Sequence, residues 1–94
     1  MPIVRIEHAV PNFEKWKQVF DSDSADRKGS GVRGYQILRA QDDPNCVMID
    51  PEFDSLGEAE AFLRTMERIW GGPGKAVMQN PRGRVVDRVE GNEL

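Results

Sequence analysis

The chain has 94 residues, of which 38% are hydrophobic and 31% are charged, and its net charge is −3 at pH 7. This length suits one domain, residues 1–94, and the composition is that of an ordinary globular protein. These values exclude a two-domain enzyme, a membrane protein and a disulfide-held scaffold. The chain has no excess of basic residues to neutralise phosphates, which argues against a nucleic-acid partner.

Residues that bind metals or form disulfides are scarce. Cys46 is the only cysteine and His8 the only histidine, so the chain forms no internal disulfide and offers no cluster of zinc ligands. We therefore expect no metal and no cofactor. Residues 1–5 lack the apolar core of a signal peptide, and no apolar run approaches the roughly 20 residues of a membrane span. The pattern predicts a cytoplasmic protein with no membrane partner.

The first third of the chain predicts a strand followed by a helix. Residues 3–10 alternate between two faces of a strand, which Pro11 ends. One face carries Val4, Ile6, His8 and Val10. Asn12 is a good N-cap. Apolar residues from Phe13 to Phe20 recur every three or four positions, which predicts an amphipathic helix.

A hairpin follows. Residues 32–41 and 46–53 are rich in strand-forming side chains, and the acidic, proline-containing segment 42–45 predicts the turn between them. Pro51 lies inside the second of these strands. Because proline has no N–H to donate, we expect the strand to leave its neighbours there.

A second helix and a last strand complete the pattern. Ser55 and Glu58 fit a capping box, an apolar stripe runs on to Trp70, and the glycines of segment 71–74 end the helix. Residues 83–90 predict the last strand. Segment 71–75 resembles a phosphate-binding loop only superficially, since it follows a helix and has no Ser or Thr after its lysine, and a pocket lid is the alternative interpretation.

The order βαββαβ predicts an α+β, ferredoxin-like fold, with a four-stranded antiparallel sheet and two helices on one face. Two helices cover only one side of such a sheet, and the predicted strands carry apolar residues on parts of both faces. We therefore expect a homodimer in which two sheets pack face to face as a dimeric α+β barrel. A monomer with a half-polar open face is the alternative.

A motif near the start of the chain carries a family resemblance. Residues 8–21, HAVPNFEKWKQVFD, resemble the opening H-x-V-x-D-F-x-x-W-K-x-x-F-D of small dimeric α+β-barrel proteins related to the antibiotic biosynthesis mono-oxygenase (ABM) group. Residues 34–47 resemble the second and third strands of that family, and residues 53–62 the helix that follows. The chain departs from the family at Asp50-Pro51, where apolar strand residues are usual.

The resemblance implies a dimeric barrel but does not select a reaction. The superfamily includes cofactor-free quinol mono-oxygenases, muconolactone isomerases, haem-degrading enzymes and polyketide cyclases, together with proteins without an assigned activity. A haem-degrading role is disfavoured because the single histidine, His8, falls at the end of a strand.

Two residues are candidates for acid–base catalysis. His8 is the side chain expected to titrate near neutral pH, and it is either a proton donor or acceptor for a phenolic or lactone substrate or a strand-end histidine bonded to backbone. Asp50 is an acid within an apolar strand, on the same face as Cys46 and Met48. It is either a base with a raised pKa in the cavity, or a residue that caps the turn at Pro51 or pairs with an arginine.

Four further residues are candidates for substrate binding. Arg39 would hold a carboxylate or enolate and Tyr35 would donate a hydrogen bond, although an interface role suits both equally. Arg5 would orient an anionic substrate together with Glu7, or form an exposed ion pair of little consequence. Trp70, next to two glycines, is a candidate for a pocket wall, with a place in the core as its alternative.

Two functions follow from these observations. The first is a small enzyme that acts on an aromatic or polyketide-like compound by acid–base chemistry, in a cavity bounded by the open sheet face and the second helix. The second is a small-molecule-binding or accessory protein of the same fold without turnover. A cavity of roughly 300 Å³ or more, with His8, Asp50 or Arg39 directed into it, would favour the enzyme.

Overall fold

A computed structural model of the chain describes residues 1–23, 26–72 and 78–94. Within these residues the chain forms four strands and two helices in the predicted order. The elements are β1 (Pro2–Ala9), α1 (Phe13–Asp21), β2 (Ile37–Arg39), β3 (Cys46–Ile49), α2 (Leu56–Trp70) and β4 (Gln79–Asp87). The pocket lid that the sequence suggested for segment 71–75 falls mainly on residues 73–75, which lie outside the described residues.

The strands form an antiparallel sheet in the order β2-β3-β1-β4. Both central strands are paired on two sides, and β1 is aligned so that Ile6 faces Ile49 and His8 faces Val47. This is the order of a ferredoxin-like sheet, and the predicted fold class is confirmed.

Both helices begin at the predicted caps. The side chain of Asn12 accepts a hydrogen bond from the backbone N–H of Lys15 at 3.1 Å. The hydroxyl of Ser55 accepts one from the backbone N–H of Glu58 at 3.2 Å, as in a capping box. These side-chain acceptors satisfy N–H groups that the first helical turn leaves without partners.

As predicted, the regular strand ends close to Pro51, since β3 stops at Ile49, but backbone hydrogen bonds continue on both sides of the proline. The carbonyl of Pro51 accepts a hydrogen bond from the N–H of Val4 at 3.0 Å, and on the other side the N–H groups of Asp50 and Glu52 bond to the backbone of Gln36 and Gly34. Proline fits here because its missing N–H interrupts one position and the bonds before and after it continue the pairing.

The two faces of the sheet differ in composition. One face packs against the helices and forms the core, whose buried residues are Val4, Ile6, Val10, Trp16, Val47, Ile49, Phe53, Ala59, Phe62 and Met78. The opposite face, called the open face below, carries Arg5 and Glu7 of β1, Met48 of β3 and the arginines 82 and 84 of β4. No helix in the described part of the chain is long and apolar enough to cross a membrane.

Candidate ligand site

A narrow apolar pocket lies between the helix-covered face of the sheet and the two helices. Its cavity volume is about 50 Å³, well below the roughly 300 Å³ from which typical small-molecule sites start. The lining residues are Ile6, His8, Trp16, Val19, Phe20, Arg27, Tyr35, Ile49, Pro51, Phe62, Met66, Ile69 and Met78. The unbranched side chains of Met66 and Met78 are the flexible part of this wall, because methionine adapts its rotamers easily.

His8 is the polar group at the inner end of the pocket. It is only 2% exposed, and neither Nδ1 nor Nε2 has a hydrogen-bond partner among the described residues. Its ring packs against that of Trp16, with centroids 5.3 Å apart. Burial lowers the pKa of His8 to about 4, and a contact with the backbone of Ala9, whose geometry falls short of a hydrogen bond, opposes part of this shift. The imidazole is therefore neutral at pH 7, with one N–H to donate and one lone pair to accept.

A row of aromatic rings leads from His8 to the surface. The centroids of Trp16 and Phe20 are 5.3 Å apart, and those of Phe20 and Tyr35 are 5.4 Å apart. Tyr35 is exposed and marks the mouth of the pocket. The rings give the pocket flat walls, which suit a planar ligand.

Arg27 lies at this mouth and was not identified by the sequence analysis. Its guanidinium carbon is 3.9 Å from the centroid of Phe20 and 5.4 Å from that of Tyr35. Its Nη1 donates a hydrogen bond to the carbonyl of Phe20 at 2.7 Å, and its Nε is 3.4 Å from Oδ1 of Asp23. In the sequence, Arg27 belongs to a polar segment after the first helix, which gives no sign of a pocket. The apolar stripe of that helix ends at the aromatic residue Phe20, and this ring was the one signal that a cation could pack nearby.

Asp50 is held in a different environment. Arg5 donates to it through Nε at 3.0 Å and Nη2 at 2.8 Å, and Gln36 donates at 3.0 Å. The hydrogen bonds from Arg5 lower the pKa of the Asp50 carboxyl, with a smaller contribution from Gln36, although burial opposes them. A base would need a raised pKa, so the geometry favours the alternative that Asp50 pairs with an arginine.

The structure does not bring His8 and Asp50 together. His8 faces the helices, whereas Asp50 lies directly after β3 on the open face, where it contacts Arg5, a residue whose side chain is 55% exposed.

A hollow of about 600 Å³ does lie between the open face and the second helix, with Arg5, Glu7 and Trp70 among its lining residues, and a neighbouring hollow of about 620 Å³ brings Arg5, Tyr35 and Asp50 together. Neither of them contains His8. The apolar pocket lies on the opposite, helix-covered face, to which β1 and β3 contribute the core residues Val4, Ile6, Val47 and Ile49.

The remaining candidates lie outside the inner pocket. Arg39 packs over the ring of Phe13, with its guanidinium carbon 4.5 Å from the centroid, and it does not line the pocket. Trp70 packs at the edge of the sheet beside Gly83, and its Nε1 has no hydrogen-bond partner among the described residues. Of the four proposed binding residues, only Tyr35 lines the same pocket as His8.

Metal binding finds no support in the arrangement of side chains. The described residues contain no group of three or more His, Cys, Asp or Glu side chains that could hold a metal ion. Cys46 stands apart from the pocket, and burial, followed by the nearby charge of Glu7, raises the pKa of its thiol. A raised pKa keeps the thiol protonated and weakens it as a nucleophile.

Comparison with known proteins establishes the fold. No family model and no curated protein matches the chain. The structure of a mutant of SnoaB, a cofactor-independent oxygenase from Streptomyces nogalater, superposes with a TM-score of 0.76 at 12% identity, covering 96% of this chain and 94% of that one. A proposed antibiotic biosynthesis monooxygenase from Nitrosomonas europaea gives a TM-score of 0.62 at 17% identity, covering 96% and 100% of the two chains.

A third structure has the same architecture. A dimeric ferredoxin-like protein from an uncultured marine organism gives a TM-score of 0.62 at 9% identity, covering 99% of this chain and 98% of that one. The resemblance to the ABM group that the sequence motif predicted is thus confirmed at the level of the fold. Sequence identities this low establish a shared fold and leave the reaction open.

Proposed function

We propose that the chain binds a small hydroxylated aromatic compound in the pocket beneath its helices, with the ligand hydroxyl hydrogen-bonded to His8. The observation that carries this proposal is the buried imidazole, whose two nitrogens lack partners among the described residues while the surrounding wall is apolar and aromatic. An unsatisfied buried polar group costs about 1–3 kcal/mol, and a ligand hydroxyl would relieve that cost. Because the cavity is only about 50 Å³, even a single ring enters only when the flexible side chains of Met66 and Met78 move, and a polycyclic compound would need a still larger opening.

The chemistry that suits this pocket is proton transfer from the ligand to His8. A phenolate formed beside the ring would favour the imidazolium and raise its pKa from about 4, because opposite charges stabilise each other in an apolar site. The electron-rich phenolate could then react with O₂, as expected for a mono-oxygenase without cofactor. With 1,4-dihydroxybenzene the balanced reaction is C₆H₆O₂ + O₂ → C₆H₄O₃ + H₂O, which gives a hydroxyquinone. The fold shared with a cofactor-independent oxygenase supports this assignment.

Binding without turnover is the second candidate. It is favoured by the low pKa of His8, which makes the free imidazole a weak base, and by the small cavity. An oxygen electrode with 1,4-dihydroxybenzene separates the two. An enzyme consumes O₂ above the protein-free rate and incorporates one labelled oxygen atom from ¹⁸O₂ into the quinone, whereas a binding protein does neither.

Binding itself is tested by calorimetry with phenol and toluene, in which a methyl group of similar size replaces the hydroxyl. The variant His8→Phe keeps a buried ring and removes both nitrogens. We expect it to bind phenol about tenfold more weakly than the unmodified chain and to bind toluene equally well, since one hydrogen bond is lost. Equal phenol affinity in the two proteins would contradict the proposal.

We also propose that the chain forms a homodimer through the open face. Leu38 of β2 lies beside Met48 of β3 on that face, and Leu38 is 40% exposed. No helix of the described chain covers these residues, and a protein of the same fold is described as dimeric. Burying this apolar area against a second sheet would remove it from water.

A further inference from the structure

We infer that Arg27 recognises an anionic group at the mouth of the pocket, so that the preferred ligand is a hydroxylated aromatic acid. This inference rests on the proposed function and adds to it the second polar group of the ligand. It starts from the position of the guanidinium, which stacks over the ring of Phe20 and lies next to Tyr35.

Arg27 is the one charged side chain among the described residues that line the pocket. Its side chain is 20% exposed, so the guanidinium is largely withdrawn from water. A carboxylate that bonds to an arginine in such a partly desolvated place is held more strongly than one at an open surface. The other described residues that line the pocket are uncharged, so Arg27 is the cation to which an acidic group would bind.

The guanidinium is held in place before any ligand arrives. Nη1 is fixed by the carbonyl of Phe20, and Asp23 accepts from the backbone N–H of Arg27 at 3.0 Å as well as facing its Nε. Nη2 has no hydrogen-bond partner among the described residues. Because Asp23 faces Nε and the carbonyl of Phe20 takes Nη1, the Nη2 group is the part of the fork left for a ligand.

The two groups that this inference assigns to the ligand, His8 and Arg27, lie at opposite ends of the pocket. His8 is at the buried end beside Trp16, and Arg27 is at the exposed end beside Tyr35, with Phe20 between them. A ligand that satisfies both is a planar ring with a hydroxyl group at one end and a carboxylate at the other. Such polar groups at fixed positions in an apolar site provide orientation and specificity.

Matched pairs of acids and neutral phenols test the inference by calorimetry. The acids are 4-hydroxybenzoate, 4-hydroxyphenylacetate and 3-(4-hydroxyphenyl)propanoate, and the neutral partners are 4-methylphenol, 4-ethylphenol and 4-propylphenol. We expect at least one acid to bind about tenfold more tightly than its partner, and its methyl ester to lose that preference. The chain length that binds best measures the distance between the two polar groups. Equal affinities within all three pairs would overturn the inference.

Variants assign the preference to Arg27. Arg27→Gln should weaken binding of the acid about tenfold more than binding of its neutral partner, so that the preference for the acid is lost. Arg33→Gln is the matched control, because it removes the same charge from an exposed arginine that pairs with Asp54 and does not line the pocket. If both variants reduce acid binding equally, general electrostatics explains the preference and the inference is wrong. The ester comparison uses the unmodified chain and decides the matter even if Arg27→Gln does not fold.

The outcomes also separate this inference from the proposed function. Neutral phenols that bind through His8, with no preference for acids, would refute the role of Arg27 alone. Failure of every phenol to bind, acidic or neutral, would refute the proposed function and this inference together.

Discussion

His8 and Asp50 are both almost completely buried, yet they lie on opposite faces of the same sheet, at 2% and 4% exposure. The difference between them is in their partners. Asp50 receives three hydrogen bonds from Arg5 and Gln36, whereas the ring nitrogens of His8 receive none from the described residues. The carboxylate is thus a satisfied structural anion, whereas the imidazole keeps unused hydrogen-bonding capacity.

Lowering the pH should destabilise the protein through His8. In the unfolded chain the imidazole takes up a proton near its ordinary pKa of 6.5, but in the folded chain only near 4. The unfolded state therefore binds more protons between these values, and stability falls as the pH drops through this window, by up to about 3 kcal/mol. Urea denaturation at pH 7, 5.5 and 4.5 measures this loss.

The variant His8→Phe shows whether the histidine is responsible. It should be at least as stable as the unmodified chain at pH 7, because two unsatisfied nitrogens are removed, and its stability should vary less between pH 6.5 and 4. Asp50 does not interfere with this measurement. Because its pKa is lowered from 3.8 in the folded chain, its ionised form stabilises the protein above pH 3.8, and this stabilisation is lost only as the pH falls further. An unchanged pH dependence in His8→Phe would show that the buried imidazole is not its source.

Replacement of Asp50 should affect stability more than ligand binding. Asp50→Asn removes the charge that Arg5 contacts through two nitrogens, and we expect a loss of about 1–3 kcal/mol in the free energy of unfolding. The loss stays below that of a fully buried pair because the Arg5 side chain is 55% exposed and can be hydrated.

The matched control is Asp54→Asn, which breaks the exposed pair with Arg33 and should cost about 0–1 kcal/mol. Phenol affinity measured on Asp50→Asn should equal that of the unmodified chain, since Asp50 does not line the pocket. A specific loss of turnover in this variant, with phenol binding intact, would restore Asp50 as a catalytic base.

The parts of the fold that the sequence predicted are those with a local physical cause. The caps at Asn12 and Ser55 act within one helical turn, and the face that His8 shares with the core residues of β1 follows from the two-residue period of a strand. The end of β3 close to Pro51 also has a local cause, although the hydrogen bonds of Asp50 and Glu52 continue beyond it because proline removes only one donor.

The parts that the sequence left open depend on long-range contacts. Arg5 and Asp50 are 45 positions apart, and only the antiparallel alignment of β1 and β3 places them side by side, so the direction of the Asp50 pKa shift could not be derived from the neighbours in sequence. Arg27 follows a helix in a polar segment that resembles a solvated turn, and its place over Phe20 exists only once the chain folds back.

Gly83 should resist substitution because Trp70 occupies the space beside it. A Cβ at this position would lie 3.0 Å from Cη2 of Trp70 and 2.8 Å from Cδ1 of Leu63. The leucine methyl group can rotate away, but the indole is rigid, so Gly83→Ala should destabilise the protein by about 1–2 kcal/mol in urea denaturation. In contrast, Gly57→Ala on α2 meets nothing within 4 Å and should be neutral or stabilising by up to about 1 kcal/mol.

A double variant identifies the group responsible. Adding Trp70→Phe to Gly83→Ala shortens the ring at the point of contact, and the two changes together should cost less than the sum of their separate effects. Strictly additive losses of stability would mean that contact with the indole of Trp70 is not what destabilises Gly83→Ala.

The open face should bring two copies of the chain together. Light scattering coupled to size exclusion is expected to give twice the monomer mass at micromolar concentration. Leu38→Lys places a charge beside Met48 on that face, and it should shift the protein toward the monomer, because the lysine would have to be buried without a partner.

The control for this substitution lies on the other side of the molecule. Leu56 at the start of α2 is 56% exposed, more than the 40% of Leu38, so Leu56→Lys introduces the same charge at a surface that the proposed dimer leaves in water. It should keep the dimer mass and change stability little. A monomer mass for the unmodified chain would refute the pairing of sheets, and equal dissociation in both variants would place the interface elsewhere. Phenol binding should survive in Leu38→Lys, since the pocket lies within one chain, between its own helices and sheet.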